Sequence, residues 1–434
     1  MAPFIRNEVS VKVLKLSSSP AVLSRVACAC VAMTAAWSGV ARAEEMPLYL
    51  TLSQSLQRDS NFSRTTQPQS ERISVTAVTA GLDKSYGRQN YKASAQVAAQ
   101  RYDHFGKLLN NDAKNFDGSV SSDVGANWRL SLGGNFSENL TAPQDNQLDN
   151  RVVRNIRRYR DGNVSVQYGN GGRWSVVTTV DSNRLTYSDD NYAFRNAQQH
   201  STGARLVYNA SDLLNFGVGP RWVSTRYPNR NDETVDDRNL DFSTNWQVSG
   251  LSNLSALLSL RNSESSLTTG RRTNAFTGAL GWAYTPRGLM TYGVNLRRAT
   301  DSDRFREAGQ ASFFGSTYNT LQNVAFDNVT TTLGLSAQYL ATAKLNFTLS
   351  YYLIRYESSN VRDKAQLGNS SFSIAGSSND YNSRYNSVSL AANYRPIQAV
   401  GLSCSVQRYK QTQDQFRPKY DGNSTECSAS FTLD

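Results

Sequence analysis

The sequence predicts an all-β protein, a single transmembrane antiparallel β-barrel of about eighteen strands (16–18). Three observations carry that expectation. Apolar and polar residues alternate at a period of two along most of the chain, and short and long connections take turns between the alternating segments. Beyond residue 44 there is no run of 18 or more apolar residues that would cross a bilayer as a helix.

The first 43 residues read as a secretory signal: basic Lys12, Lys15 and Arg25, an apolar run from Val26 to Val40, and Ala41-Arg42-Ala43 as a small-x-small cleavage site. Residues 44–434 are then the outer-membrane barrel, and part of the formal charge of +11 belongs to targeting. Cys28 and Cys30 leave with the signal, neither preceded by a lipobox-like Leu-x-x-Cys, so Cys404 and Cys427 remain.

In chain order the alternation starts with Leu48, Leu50, Leu52 and Ile73, Val75, Ala77, then Tyr91, Ala93, Ala95, Val97, Ala99. It continues through Val120, Val124, Trp128, Leu130, Leu132 and Phe136, and later through Leu214, Phe216, Val218 and Leu254, Ala256, Leu258, Leu260. Phe276, Leu280, Trp282, Tyr284, Met290, Tyr292, Val294 and Leu296 follow, then Leu333, Leu335, Tyr339 and Leu345, Phe347, Leu349, Tyr351. Val388, Leu390, Ala392, Tyr394, Phe431 and Leu433 end the series. Residues between them are small or polar, which makes one face of each strand apolar and the other wet. Each segment is roughly ten residues long, as a tilted membrane-spanning strand requires.

Short connections fall at 83–87, 127–129, 169–172, 209–212, 249–253, 285–288, 341–344 and 395–398. Long polar ones fall near 59–71, 103–113, 138–160, 188–198, 225–237, 262–272, 299–324, 357–383 and 409–422. A series that begins and ends on a long connection leaves both termini on the short-turn, periplasmic side of an outer-membrane barrel. Tyr91, Trp128, Tyr168, Trp174, Tyr208, Trp246, Trp282, Tyr284, Tyr339 and Tyr394 all lie near short turns, as an aromatic girdle would. A soluble two-sheet protein would also alternate, but it has no reason to alternate loop lengths or to mass aromatics at one end.

Little points to catalysis. The two histidines, His104 and His200, lie in or beside expected loops, and no His-x-x-x-His or Cys-x-x-Cys spacing offers a transition-metal site. Nucleophile-elbow, phosphate-loop and dinucleotide signatures are missing, so no enzyme activity, cofactor or metal is expected. Asp189-Asp190 and Asp232-Glu233 with Asp236-Asp237 have the oxygens to bind calcium, yet without a loop motif they read as solvated charges. Arg151, Arg154, Arg157, Arg158 and Arg160 form a basic cluster suited to phosphates of lipopolysaccharide or to an acidic polymer, or simply to loop solubility. In an exported protein the basic charge does not indicate nucleic acid. Cys404 and Cys427 lie in the apolar phase of the last two strands, where a hairpin would oppose them and an oxidising compartment would permit a disulfide. A register one residue different leaves two free thiols, and both readings stay open.

Function is expected in the lumen. Inward-phase Lys92, Arg205, Arg221, Arg261 and Arg297 stand against Asp117, Asp123, Asp181 and Asp241 among hydroxyls and amides. That mixture suits passage of a hydrated solute or polymer. Tyr352, Ile354 and Tyr356 break the polar-in rule and are candidate sugar-stacking platforms or contacts for an inserted loop.

Several stretches are similar to a known group: Leu52-Ser53-Gln54-Ser55 with Arg58-Asp59-Ser60-Asn61-Phe62, the run Gly81 to Gln89, Ala113 to Asp117, and Arg226-Tyr227-Pro228-Asn229-Arg230. In these the chain resembles the EpsL-type outer-membrane barrels encoded with exopolysaccharide genes, also described as β-barrel porins. The resemblance implies polysaccharide secretion as a conduit or outer-membrane component, with polysaccharide, outer-membrane lipid or lipopolysaccharide, and periplasmic export proteins as partners. The alternative expectation is a general or sugar-selective diffusion porin, and a third is a plugged adhesin or scaffold.

Overall fold

The computed structural model describes residues 47–142, 152–267, 272–313, 316–362, 365–367, 373–374, 377–412 and 419–433. The expected signal, residues 1–43, lies outside them. The described chain belongs to one compact unit, Pro47–Asp434.

That unit is an 18-stranded antiparallel closed β-barrel. The first strands are β1 (Leu48–Asp59), β2 (Glu71–Tyr86), β3 (Gln89–Tyr102), β4 (Asn111–Val124), β5 (Trp128–Leu140) and β6 (Ile156–Tyr168). The wall continues with β7 (Trp174–Tyr187), β8 (Ala197–Ser211), β9 (Leu214–Tyr227), β10 (Glu233–Ser249), β11 (Ser252–Ser265) and β12 (Arg272–Tyr284). It is completed by β13 (Met290–Phe313), β14 (Ser316–Leu340), β15 (Leu345–Arg362), β18 (Ser377–Ile397), β19 (Val400–Gln411) and β20 (Tyr420–Leu433). Two short pieces, β16 (Ala365–Leu367) and β17 (Ser373–Ile374), lie in the connection between β15 and β18. The ring closes where β20 pairs with β1, from Leu50 opposite Leu433 to Asp59 opposite Ser424. Closure leaves no free sheet edge in the hydrocarbon, where each unpaired backbone group would cost several kcal/mol.

All eight expected short turns fall between strands on one side, together with both ends of the wall, Leu48 and Leu433. The protein is an outer-membrane barrel with periplasmic termini. No helix among the described residues is long and apolar enough to cross a membrane. The expected long connection at 299–324 is instead mostly strand: β13 and β14 pair continuously from Met290 opposite Tyr339 to Phe313 opposite Ser316. That run reaches well past the neighbouring strands on the extracellular side.

Because directly opposed residues share a face, the register sorts lipid from lumen. Outward-facing Leu52, Val78 and Val97 lie in one row, as do Leu240, Leu260 and Phe276, and the apolar residues of these rows are largely exposed. The periplasmic girdle is built from paired rings: Trp128 with Tyr168 at 4.8 Å, Trp174 with Tyr208 at 4.5 Å, and Trp282 stacked on Tyr284 at 5.7 Å. Ile73, Val75 and Ala77 depart from expectation. They point inward, where Ala77 packs with Ala98 and Ala113, and Ile73 joins Phe62 and Leu109 in a small apolar cluster. Alternation shows that a strand has two faces, but a face of small apolar residues can serve the lumen where folded loops cover it.

Three buried carboxylates anchor the extracellular loops, each at the extracellular end of a strand. Asp59 holds the β1–β2 loop through Arg64 and the Asn61 amide. Glu71 accepts from the backbone N–H of Arg72, Asp103, His104 and Phe105, which fixes the β3–β4 connection and its one-turn helix α1 (Gly106–Leu109). Ser265 donates to Glu233 at 2.6 Å and ties β11 to β10.

Candidate functional site

The lumen wall on β8–β11 gathers charges that are scattered in sequence. Arg221 donates to both Asp241 oxygens, from Nε at 2.7 Å and Nη2 at 3.2 Å, and Ser259 donates to Asp241 Oδ1 at 2.6 Å. One step toward the cell exterior, Arg261 pairs with Asp237 at 2.8 Å and donates from Nη1 to the Thr300 carbonyl at 2.8 Å. Asp237 and Asp241 both face inward on β10, and their cationic partners come from the strands on either side. The result is a ladder of bidentate and charge-assisted bonds that holds the guanidinium planes in place.

Arg205 is the third member. Among the described residues it makes no hydrogen bond or ion pair, and its Nε is shielded from solvent with no acceptor. A β-carbon built at Gly217 would come within 2.9 Å of Arg205 Cδ and 2.5 Å of Ser243 Oγ, so the arginine stem lies over Gly217 toward β10. Gly203 likewise leaves room beside the Arg221 stem, at 3.5 Å. Pro220 has no N–H to give. The β8–β9 ladder lapses between Gly203 opposite Arg221 and Leu206 opposite Val218, while β9 keeps its register with β10. Beside it, a β-carbon at Gly219 would sit 1.9 Å from the Ala204 carbonyl oxygen. Glycine and proline thus bring the strands close at the position of Arg205.

The remaining expected lumen residues lie elsewhere. Lys92 pairs with Asp83 at 3.2 Å, and Asp123 takes two bonds from Arg129, both near the periplasmic turns. Asp117 lies one strand from Asn135 and two from Asp161, lining a hollow of about 320 Å³ with Asn163 and Ser131. Asp181 shares the row of Asn163 and Ser201. Arg297 faces inward opposite Ala279 and Thr332. The Tyr352 ring lies over Gly334, where a β-carbon would be 3.1 Å from its Cε1.

The loop charges take structural roles. Asp189 caps a 3-10 turn by accepting from the Asn191 amide at 2.9 Å, and Asp232 pairs with Arg226. In the arginine cluster, Arg158 bonds Glu138 at 2.6 Å on the outer face, and Arg157 lies against Tyr159 on the inner one. Arg151 lies outside the described residues. His200 and Ser201 point to opposite faces. Among the described residues no group of three or more His, Cys, Asp or Glu side chains is arranged to hold a metal ion. Cys404 and Cys427 are directly opposite and disulfide-bonded, on the outward face.

Sequence reasoning placed Asp237 among solvated loop charges, whereas it faces the lumen on β10, and it missed Ser259, Gly217 and Gly219. The signal for the pair was present as two inward-phase acids, Asp237 and Asp241, on one strand. The glycines at 217 and 219 with Pro220 marked the irregularity.

No family model and no curated relative matches the chain. Solved structures do match. The FrpB iron transporter from Neisseria meningitidis is 8% identical over 90% of this chain and 82% of that one, with a TM-score of 0.43. A mutant of the ferric enterobactin receptor PfeA from Pseudomonas aeruginosa is 10% identical over 90% and 81%, with a TM-score of 0.44. OccAB3 from Acinetobacter baumannii is 10% identical over 89% and 98%, with a TM-score of 0.46. These are likenesses of fold. They correct the expected family: the solved barrels this chain matches include iron transporters and ferric-siderophore receptors, and none of these three is an exopolysaccharide-export barrel. The polysaccharide cargo and the periplasmic export partners are withdrawn with it. The general or sugar-selective diffusion porin is withdrawn with them.

Proposed function

We propose that the protein is a non-enzymatic outer-membrane transport barrel whose lumen selects anionic solutes, bound at Arg205 and oriented by the Arg221–Asp241 and Arg261–Asp237 pairs. The observation that carries this reading is the contrast within the ladder. Two guanidinium groups are neutralised by carboxylates at 2.7–2.8 Å, whereas Arg205 has no carboxylate of its own. A carboxylate or phosphate on a passing solute supplies the acceptor that the protein does not.

The test is reconstitution of the full chain in planar bilayers under a potassium chloride gradient, with citrate, phosphate and ferric enterobactin as anionic probes. Ferric enterobactin, the ligand class named for one of the fold-similar receptors, is a tris-catecholate anion. Anion-selective current blocked by at least one probe is expected, with block weakened about tenfold, or ~1.4 kcal/mol, in Arg205→Gln. A cation-selective lumen, or a probe response unchanged in Arg205→Gln, would overturn the proposal. A barrel that neither conducts nor binds any probe would favour a plugged scaffold.

A further inference from the structure

We infer that the Cys404–Cys427 disulfide is made on the unfolded chain in the periplasm, before the barrel enters the bilayer, and that insertion then seals it from water-soluble thiols and disulfides. Cys404 and Cys427 face each other in register, 4.1 Å apart at Cα, on the outer face of β19 and β20. The same face of β19 carries Val400, Leu402 and Val406 before it reaches Arg408, and that of β20 carries Ala429, Phe431 and Leu433 on the periplasmic side of Cys427, and Thr425 and Asn423 on the other. Across β1 the row continues to Leu56, and across β18 to Ala392. Leu56, Leu402, Val406 and Phe431 are all largely uncovered by protein, as lipid-facing side chains are. At about 3.3 Å per residue, Cys404 is some 13 Å along the strand from Val400 and as far from Arg408. The bond therefore lies on the lipid face toward the extracellular side of the apolar belt, about 7 Å along the strand from the level of Arg58 on β1.

The chemistry requires water. One cysteine, as thiolate, attacks the disulfide of a periplasmic disulfide-bearing oxidant, giving a mixed disulfide and releasing the oxidant's other sulfur as a thiolate. The second cysteine, as thiolate, attacks the mixed disulfide, closing Cys404–Cys427 and releasing the oxidant as a dithiol, which has gained two electrons and two protons. Both attacks need a thiolate, and a hydrocarbon surround disfavours the ion and excludes a charged partner. Oxidation must then precede insertion. Closing the bond early also fixes the register of β20, the strand that seals the barrel against β1, because a slip of one residue would put the two sulfurs on opposite faces.

The experiment uses the full chain, reduced in urea and folded into phospholipid vesicles, then exposed to oxidised glutathione. Free thiols are read after denaturation by the gel shift of a maleimide polymer. Unfolded chain is expected to oxidise, whereas inserted, reduced barrel is expected to stay reduced at least tenfold longer. The lumen-facing neighbours Ser403 and Ser428, whose hydroxyls are 3.2 Å apart, provide the control. With Cys404→Ser and Cys427→Ser in place, Ser403→Cys plus Ser428→Cys is expected to oxidise after insertion, since that pair faces the aqueous lumen. Equal oxidation rates for unfolded and inserted Cys404–Cys427 would overturn the inference. So would a lumen-facing pair as resistant as the native one, which would assign the protection to strand pairing rather than to lipid.

Discussion

Asp59 and Arg64 form a two-pronged ion pair at the extracellular end of the barrel seam, with Nη1 to Oδ1 at 3.0 Å and Nη2 to Oδ2 at 2.8 Å. Tyr409 from β19 donates to the same carboxylate at 2.5 Å, and the Arg64 guanidinium lies 3.9 Å from the centre of that tyrosine ring. Burial works to lower the pKa of Arg64. The hydrogen bond and charge of Asp59 outweigh it and raise the pKa above its usual value, so Arg64 stays charged. The first strand, its loop and the last hairpin are joined at this point.

Asp59→Asn should therefore destabilise more than loss of a surface pair would. It leaves Arg64 buried without its counter-charge, a defect worth about 3–5 kcal/mol. A lower urea midpoint for unfolding in detergent micelles is expected, while Asp232→Asn, at an exposed pair with Arg226, should leave the midpoint nearly unchanged. Equal midpoints for wild type and Asp59→Asn would show that the seam does not depend on this pair.

Gly217 and Gly219 separate function from folding on the same strand. Alanine at 217 meets flexible side-chain atoms, Ser243 Oγ and Arg205 Cδ, which can shift. Alanine at 219 meets the Ala204 carbonyl oxygen and the Arg205 Cα, which belong to the backbone. Gly217→Ala should fold, at a cost below about 1.5 kcal/mol, and weaken anion block by displacing Arg205. Gly219→Ala should lose about 3 kcal/mol or more and give little folded barrel, measured by the heat-dependent gel shift of the folded form. The reverse ranking would mean that the two strands are farther apart than described.

The barrel was legible because its signals are local and repeated. Alternation, turn residues and the aromatics beside Trp128 and Trp174 each depend on a few neighbouring positions. What the sequence hid depends on register across strands. Arg205, Arg221 and Asp241 were recognisable as inward charges, but which carboxylate neutralises which guanidinium follows from pairings such as Arg221 opposite Asn239. Asp237 and Glu233 looked like loop charges because a run of four acids within six residues resembles a solvated rim. Glu71 was invisible for a different reason: three of its four partners are backbone N–H groups 32–34 residues away, and no side-chain motif marks them.

Glu71 is the anchor to test for loop order. Its carboxylate accepts from four backbone N–H groups at 2.8–3.0 Å and is 2% exposed. Glu71→Ala leaves those donors without their acceptor, a local cost of roughly 3 kcal/mol. Amides of Asp103, His104 and Phe105 should then exchange about a hundredfold faster, with the transmembrane strands unaffected. Unchanged exchange would assign the loop's order to the Phe62–Ile73–Leu109 cluster instead.

Asp241 sets how strongly the ladder attracts anions. Its oxygens accept from both Arg221 and Ser259, so Asp241→Asn keeps most of the shape and the hydrogen-bonding capacity while removing one negative charge from the lumen wall. The wall then presents two uncompensated guanidinium groups in place of one. Citrate block should strengthen by about 1 kcal/mol, roughly fivefold, at low ionic strength. The gain should shrink in 1 M salt, where the screening length falls to about 3 Å. Combining Asp241→Asn with Arg205→Gln distinguishes a shared site from a general field. If both cations contact one anion, the gain from Asp241→Asn is largely lost without Arg205, and the two effects are not additive. If the gain survives intact, Arg221 alone binds the solute, and the selecting residue lies one strand further along the wall.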